Sequence, residues 1–353
     1  MRRDRNEVID GFRGVAILAV LAFHYLVRWA PPAHGVNLYG YKGAFPSWLQ
    51  IGSYGVHLFF VISGMVIAMT VLRSGSVRDF AVRRFARLWP ALVVAATATW
   101  AVIGLAGPPE FHRSPADYVA SLTFLAADLR HQPIDGAYWS LAVEVKFYAI
   151  TAAAFLVLRQ RFWIGMAAVG LVSGLAAITG HGDKLLFAIY WPYFLAGMAG
   201  WYWLFERRAG IAALLGGEAA VLFAISNPGL VPSATLLVAV IAMFGLIRLG
   251  APAPVLAPLG RISYSLYLLH QELGVIVIRA LTDRGCPDLA ACLITAAGMI
   301  ALAWASWRFV ETPGAKLIRR LAAAARQQGQ PQPPIAHHGE GRQQDIAGGP
   351  GYG

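Results

Sequence analysis

What most constrains this chain is a recurrence of apolar stretches, each of a length that can cross a lipid bilayer. A helical span needs ~17 to 25 such residues at ~1.5 Å rise per residue. Stretches of that kind occur near 9–28, 53–72, 87–106, 137–158, 162–180, 185–204, 210–226, 233–249, 262–282 and 289–308, about ten in all. A bilayer offers the backbone no water to bond, so every one of them predicts a helix. The expected fold is an all-α polytopic membrane protein of about ten transmembrane helices. Composition agrees: of 353 residues, 58% are hydrophobic and 13% charged, against about 25% charged in ordinary soluble domains.

The formal net charge of +11 raises nucleic acid as a partner. The Lys and Arg are, however, dealt out among short loops and form no single basic stripe, which argues against it. One alternating set of loops carries Arg2, Arg3 and Arg5; Arg73, Arg78, Arg83, Arg84 and Arg87; Arg159 and Arg161; Arg207 and Arg208; Arg248 and Arg261; and Lys316, Arg319, Arg320 and Arg326. The other set holds only Arg28, Lys42, Arg113, Arg130, Lys184 and Arg284. The positive-inside rule then places both termini in the cytoplasm.

The first span follows basic residues, as a secretory signal does, but Arg13 interrupts it and further spans follow. Cys286 and Cys292 form neither a disulfide framework nor a metal pattern. The last residues, rich in Gln, Pro and Gly, predict a disordered cytoplasmic tail over 322–353, in which the His337–His338 pair reads as chance and not as a metal site. The chain is thus expected to be one membrane domain, residues 1–321, with its chemistry inside the membrane or at its faces.

Polar residues inside the spans are the candidates for that chemistry. Arg13 and His24 in "IDGFRGVAILAVLAFHY" are eleven positions apart, which on a regular helix puts them on one face about 16 Å apart. Arg13 falls near the cytoplasmic surface, where snorkelling also explains it. His24 falls beyond the midplane, as a group suited to proton exchange near neutral pH. In "AYWSLAVEVKFYAI", Ser140, Glu144 and Tyr148 recur every four residues and share a face. Glu144 lies at about the depth of His24 and is expected either to orient its imidazole or to bond neighbouring helices, with Lys146 as another partner.

Arg83, Arg84 and Arg87 stand at the inner surface in "VRRFARLWPAL". Topology alone explains arginines there, yet Arg84 and Arg87 are spaced to grip one phosphate-bearing ligand. No Gly-rich phosphate loop follows a strand, which disfavours a nucleoside triphosphatase. In "HLFFVISGMVIA", Ser63 and Gly64 read as small residues for close helix packing, with His57 nearer the outer face. Tyr267 and His270 in "SYSLYLLHQ" fall near the midplane, His270 being either a second functional histidine or an interhelical bond.

Together these motifs resemble the acyltransferase-3 family of integral membrane O-acyltransferases over nearly all of the membrane domain. The resemblance is carried by Arg13 followed after ten residues by His24, by Phe59, Phe60, Ser63 and Gly64, by Arg84, Arg87 and Pro90, and by "WSLAVEVKFY" from Trp139 to Tyr148. Lys146 departs from it, since the family more often has Gln or Glu there.

The resemblance implies transfer of an acyl group, usually acetyl from acetyl-CoA, to a hydroxyl of a glycan such as a cell-surface or secreted polysaccharide, in a bacterial inner membrane. It implies Arg83, Arg84 and Arg87 as holders of the CoA phosphates, and Arg13, His24 and Glu144 as the catalytic group. No metal is expected. Some relatives carry a fused extracytoplasmic SGNH hydrolase-like domain, so this chain either acylates its acceptor directly or passes the group to a separate extracytoplasmic protein. The competing class is a proton-coupled transporter or flippase of a lipid-linked glycan with His24, Glu144 and His270 as a proton relay. No broken-helix pair is evident in the sequence to favour it.

Overall fold

The computed structural model of the chain describes residues 3–28, 46–180, 188–226, 229–250 and 255–328. Among them all regular structure is helical. Helix α1 spans Arg3–Phe23 and runs into a π-helical turn, His24–Arg28. Then come α2 (Gly55–Leu72), α3 (Val77–Ala106), the short α4 (Pro115–Ser121), α5 (Trp139–Leu158) and α6 (Phe162–Ile178). The second half holds α7 (Trp191–Trp201), α8 (Ala209–Ser226), α9 (Leu230–Leu249), α10 (Ala257–Leu269), α11 (Glu272–Thr282), α12 (Asp288–Ser306) and α13 (Thr312–Gln328).

Six helical stretches among the described residues are long and apolar enough to cross a membrane: Glu7–Arg28, Trp48–Leu72, Val77–Ala106, Gly136–Ile178, Ala209–Ser226 and Asp288–Arg326. This is an integral membrane protein. These stretches do not map one to one on the ten expected: Gly136–Ile178 holds two of them as α5 and α6, Ser233–Leu249 forms a shorter apolar helix, and two others differ from the expectation. The stretch 185–204 contains only the short helix α7, continued by the π-helical turn Tyr202–Glu206. Nearly all of α7 is buried, and a segment enclosed by other helices need not match the hydrocarbon thickness. The stretch 262–282 is likewise two helices, α10 and α11, parted at His270–Gln271. At the C-terminal end α13 continues to Gln328, past the point where the sequence predicts disorder; residues 329–353, with His337 and His338, lie outside the described residues.

The bundle is organised around α2 and α10. Helix α2 packs on α7, and α10 on α1, α3 and α12. The α2–α7 contact is set by glycine: a Cβ on Gly64 would come within 2.1 Å of the Phe194 carbonyl oxygen, and one on Gly197 within 1.9 Å of that of Val61. Gly64 therefore packs as its sequence setting predicts. Helix α3 starts at Ser76, whose hydroxyl accepts the Asp79 N–H at 3.1 Å. It carries the arginines along one side toward α13, which packs against it.

Candidate active site

On α5, the four-residue spacing of Ser140, Glu144 and Tyr148 turns all three side chains into one inner cavity of about 100 Å³. Arg13, Ser63, Arg84, Arg87, Tyr264 and Tyr267 also line it, over apolar contacts from Phe59, Phe60 and Leu141. A second cavity of about 460 Å³ lies at the basic end, lined by Arg73, Arg83, Arg84, Arg87, Lys316 and Arg319 with Glu311. Arg84 and Arg87 belong to both walls. The larger, basic space is therefore a vestibule adjoining the inner one.

A carboxylate taken out of water needs bonded partners. Glu144 Oε1 accepts the Ser63 hydroxyl of α2 at 2.8 Å and also the Tyr148 hydroxyl one turn along α5. The Tyr148 ring in turn lies under the Arg84 guanidinium, 5.6 Å from its centre. Arg84 donates through Nη2 to the Thr70 hydroxyl at 2.6 Å, while its buried Nε has no partner among the described residues. Arg13 lies 3.8 Å from Asp10 on its own helix and faces the inner cavity. Lys146, on another face of α5, pairs with Asp128.

His24 stands apart from this group. It does not line the inner cavity, and it makes no hydrogen bond with Glu144, so the direct carboxylate–imidazole pair read from the sequence is absent. Its Nδ1 lies 3.0 Å from the Val20 carbonyl oxygen and 3.2 Å from His270 Nε2. His270 Nδ1 lies 2.8 Å from the Tyr267 carbonyl oxygen. A carbonyl only accepts, so this network assigns a hydrogen to each Nδ1. His270 Nε2 then accepts from His24, and His24 Nε2 keeps a lone pair with no hydrogen-bond partner among the described residues. The link to the cavity runs through rings: His24 to His270 at 4.9 Å, His270 to Tyr267 at 5.5 Å.

His270 still follows the helix, its N–H reaching Leu266 O at 3.0 Å, and the helix breaks directly after it. The freed carbonyls are satisfied by tyrosines: the Tyr25 hydroxyl donates to His270 O at 2.7 Å, and that of Tyr138 to Leu268 O at 3.2 Å. Beyond the break, Asp135 accepts the Ala137 and Glu272 N–H groups at 2.7 and 3.1 Å, while Glu272 Oε1 accepts the Gly136 N–H at 2.9 Å. Burial, with Glu272 beside it, pushes Asp135 well above the usual carboxylate range. This reciprocal clamp fixes the start of α11 to the start of α5. Tyr267 closes the same junction, its hydroxyl 2.7 Å from Ser140 Oγ and donating to Ala137 O at 2.9 Å.

Of the residues read from the sequence, Arg13, Glu144, Arg84 and Arg87 thus meet in the inner cavity, Arg83 lines only the vestibule, and His24 joins His270 instead. His57 packs among the Tyr54 and Tyr193 rings at 5.0 and 4.7 Å. Sequence reasoning missed Ser63 as a partner of Glu144, because a small residue beside glycine reads as packing. It also took Lys316 and Arg319 only as orienting charges.

A helical membrane protein with a carboxylate-and-arginine cavity opening beside a cationic vestibule is the class that emerges. Residues 6–308 match the acyltransferase-3 family, described as an acyltransferase domain, and the chain belongs to that family. Peptidoglycan O-acetyltransferase OatA of Listeria monocytogenes is similar to it, 25% identical over 361 residues covering 86% of this chain and 55% of the relative. The O-acetyl transferase of Shigella phage Sf6 is 27% identical over 210 residues, 55% of this chain and 60% of the relative. The chain therefore spans little more than half the length of these curated relatives. No solved structure matches it.

Proposed function

We propose that this protein transfers an acyl group, acetyl in the first instance, from cytoplasmic acyl-CoA to a hydroxyl of a glycan at the other side of a bacterial inner membrane. The observation that carries the reading is the shared wall: Arg84 and Arg87 line both the cationic vestibule and the membrane-buried cavity. A donor that is anionic at one end and carries a small uncharged thioester at the other fits that pair of spaces. The acetyltransferases named among the relatives, one of them acting on peptidoglycan, support a cell-surface glycan as acceptor. The alternation of arginine-rich and arginine-poor loops supports cytoplasmic termini, with the vestibule on the donor side.

In this mechanism the thioester end passes beyond the inner cavity to reach His24, whose Nε2 takes the proton of the acceptor hydroxyl as its oxygen attacks the thioester carbon. Arg13, about 16 Å from His24 along the same helix and beside Asp10, stands on the donor side and meets the incoming acyl-CoA. The carbon–sulfur bond breaks, and the departing thiolate of CoA takes the proton back from His24. His270 holds the His24 ring, and Glu144 supplies the negative charge that faces the arginines across the cavity. Either the glycan or a separate extracytoplasmic protein receives the group; an acyl-histidine on the way would appear as acceptor-independent release of one CoA per protein.

The helix break at His270–Gln271 is the feature that favours a transporter, since discontinuous helices bind ions in such proteins. Here two carbonyls at the break, those of His270 and Leu268, already accept from Tyr25 and Tyr138, which weakens that reading. The deciding experiment incubates purified protein with labelled acetyl-CoA and a glycan acceptor. Release of CoA thiol that needs both His24 and the acceptor is expected; glycan transport with no donor turnover would overturn the reading. Single-cysteine labelling should find 74–76 cytoplasmic and 107–112 external.

A further inference from the structure

We infer that Lys316 and Arg319 of α13 form a second phosphate site, distinct from Arg84 and Arg87, that takes the ribose 3′-phosphate of the CoA donor. The inference rests on the acyl-CoA reading above and adds to it the part of the donor that is recognised.

The two residues are one turn apart, and with Thr312 and Ala315 they form a single face of α13 turned to the vestibule. Both are exposed, and neither has an ion-pair partner among the described residues. Helix α13 is nonetheless held in place. Arg326 pairs with Asp79 at the start of α3, and Gly314 lies so close to α3 that a Cβ there would come within 2.6 Å of Pro90 Cβ. The cations are thus fixed across the vestibule from the arginines of α3.

Charge counting calls for an anion of more than one group. Three arginines of α3 and Arg73, just past α2, with Lys316 and Arg319, surround one space whose lining contains a single carboxylate among the described residues, Glu311. That carboxylate already accepts the Ser265 hydroxyl at 2.8 Å. Like charges gathered at short range repel one another unless a counter-charge enters. CoA carries its anionic groups at two places, a diphosphate on the pantetheine side and a 3′-phosphate at the far end. Arg84 and Arg87 touch both cavities and so meet the diphosphate, from which the pantetheine arm continues inward. Lys316 and Arg319 touch only the vestibule and so meet the more distant group. Both lie past residue 308, where the match to the family ends.

Anionic lipid headgroups share this chemistry and could occupy a basic helix at the membrane surface. The test therefore compares acetyl-CoA with acetyl-dephospho-CoA, which lacks only the 3′-phosphate, in proteoliposomes with and without anionic lipid. Wild-type protein should prefer acetyl-CoA by about tenfold or more in kcat/KM, two charge-assisted contacts being at stake. The Lys316→Gln, Arg319→Gln double variant should bring the ratio between donors to about one in either lipid. Arg320→Gln, on the same helix but outside the vestibule lining, should keep the wild-type ratio. A double variant that retains the preference overturns the site, as does one whose loss is equal for both donors and appears only with anionic lipid. A wild type that uses both donors equally overturns the 3′-phosphate site alone. A wild type that turns over neither overturns the acyl-CoA reading and the site with it.

Discussion

His24 Nδ1 lies 3.2 Å from His270 Nε2, although the two residues are 246 positions apart. The contact hands His24 Nδ1 a second acceptor besides Val20 O and leaves Nε2 as the only basic nitrogen of the ring. His24→Ala should lower turnover by at least ~10² to 10⁴-fold, the range of general-base catalysis, with assembly and donor binding intact. His270→Ala should be milder, roughly tenfold in kcat with donor KM unchanged, because the Val20 bond keeps the tautomer and only the ring's orientation loosens. His270→Gln, which retains an acceptor, should recover part of the loss. Steady-state kinetics on the three variants checks this; a His24→Ala protein with near-normal acylation would sink the mechanism.

Glu144 calls for a different pattern. Glutamine at this position keeps an oxygen for the Ser63 and Tyr148 hydroxyls but removes the negative charge facing Arg13, Arg84 and Arg87 across the cavity. Glu144→Gln is expected to unfold at nearly the wild-type temperature and to lose about tenfold in kcat. Glu144→Ala strips two buried hydroxyls of their acceptor and should in addition cost about 1–3 kcal/mol of stability. If Glu144→Gln proves as inactive as His24→Ala, the carboxylate takes part in the chemistry itself.

How much of this was legible in advance follows from the range of each interaction. The face shared by Ser140, Glu144 and Tyr148 was readable because it depends only on helical period, and all three do line one cavity. The Arg84–Arg87 spacing was readable for the same reason. The partner of His24 was not: His270 reaches it because α10 packs on α1, just ahead of the break at Gln271. Hydropathy sees that break as one continuous apolar run, since Gln271 and Glu272 sit within an otherwise apolar window. It likewise cannot distinguish α7, enclosed by protein, from a helix that faces lipid.

Close approach of α2 and α7 supports the cavity wall that carries Phe60 and Ser63. Gly197→Ala would place a methyl group 1.9 Å from the Val61 carbonyl oxygen, and Gly64→Ala one 2.1 Å from that of Phe194. Neither contact involves a side chain that can swing aside. Each substitution should cost about 1–3 kcal/mol or more as the helices part, read as a lower unfolding temperature in detergent. Wild-type stability in both would mean that the two helices do not meet at these glycines.

Asp117, in the connection between α3 and α5, makes a pH prediction. The Ser114 hydroxyl at 2.7 Å, then His131 Nδ1 at 3.0 Å and the Ser114 and Gln132 N–H groups, hold its carboxyl down to about 2 from 3.8. A depressed value stabilises the fold above the unfolded pKa, and that contribution is lost as pH falls through the folded one. Amide exchange at Gln132 should therefore show no contribution from Asp117 titration above about pH 4, and protection should fall from there toward pH 2. Asp117→Asn should remove that acid step; a wild-type amide that loses protection between pH 5 and 6 would contradict it.

The Asp135–Glu272 clamp joins fold to catalysis. Asp135 bonds the first N–H of α11, and Glu272 returns a bond to Gly136 just ahead of α5. Between these anchors lie His270 on one side and the Ser140–Tyr267 contact on the other. Asp135→Ala leaves the Glu272 N–H without its acceptor at a buried site, which should cost about 1–3 kcal/mol. Because the same change frees the start of α11, kcat should fall further than the lost stability alone explains, even at temperatures where the variant is fully folded. Asp135→Asn keeps one acceptor oxygen and should fall between the two. Turnover measured well below each variant's unfolding temperature separates the effects: a folded Asp135→Ala protein with wild-type kcat would show that the clamp supports the fold and has no part in positioning His270.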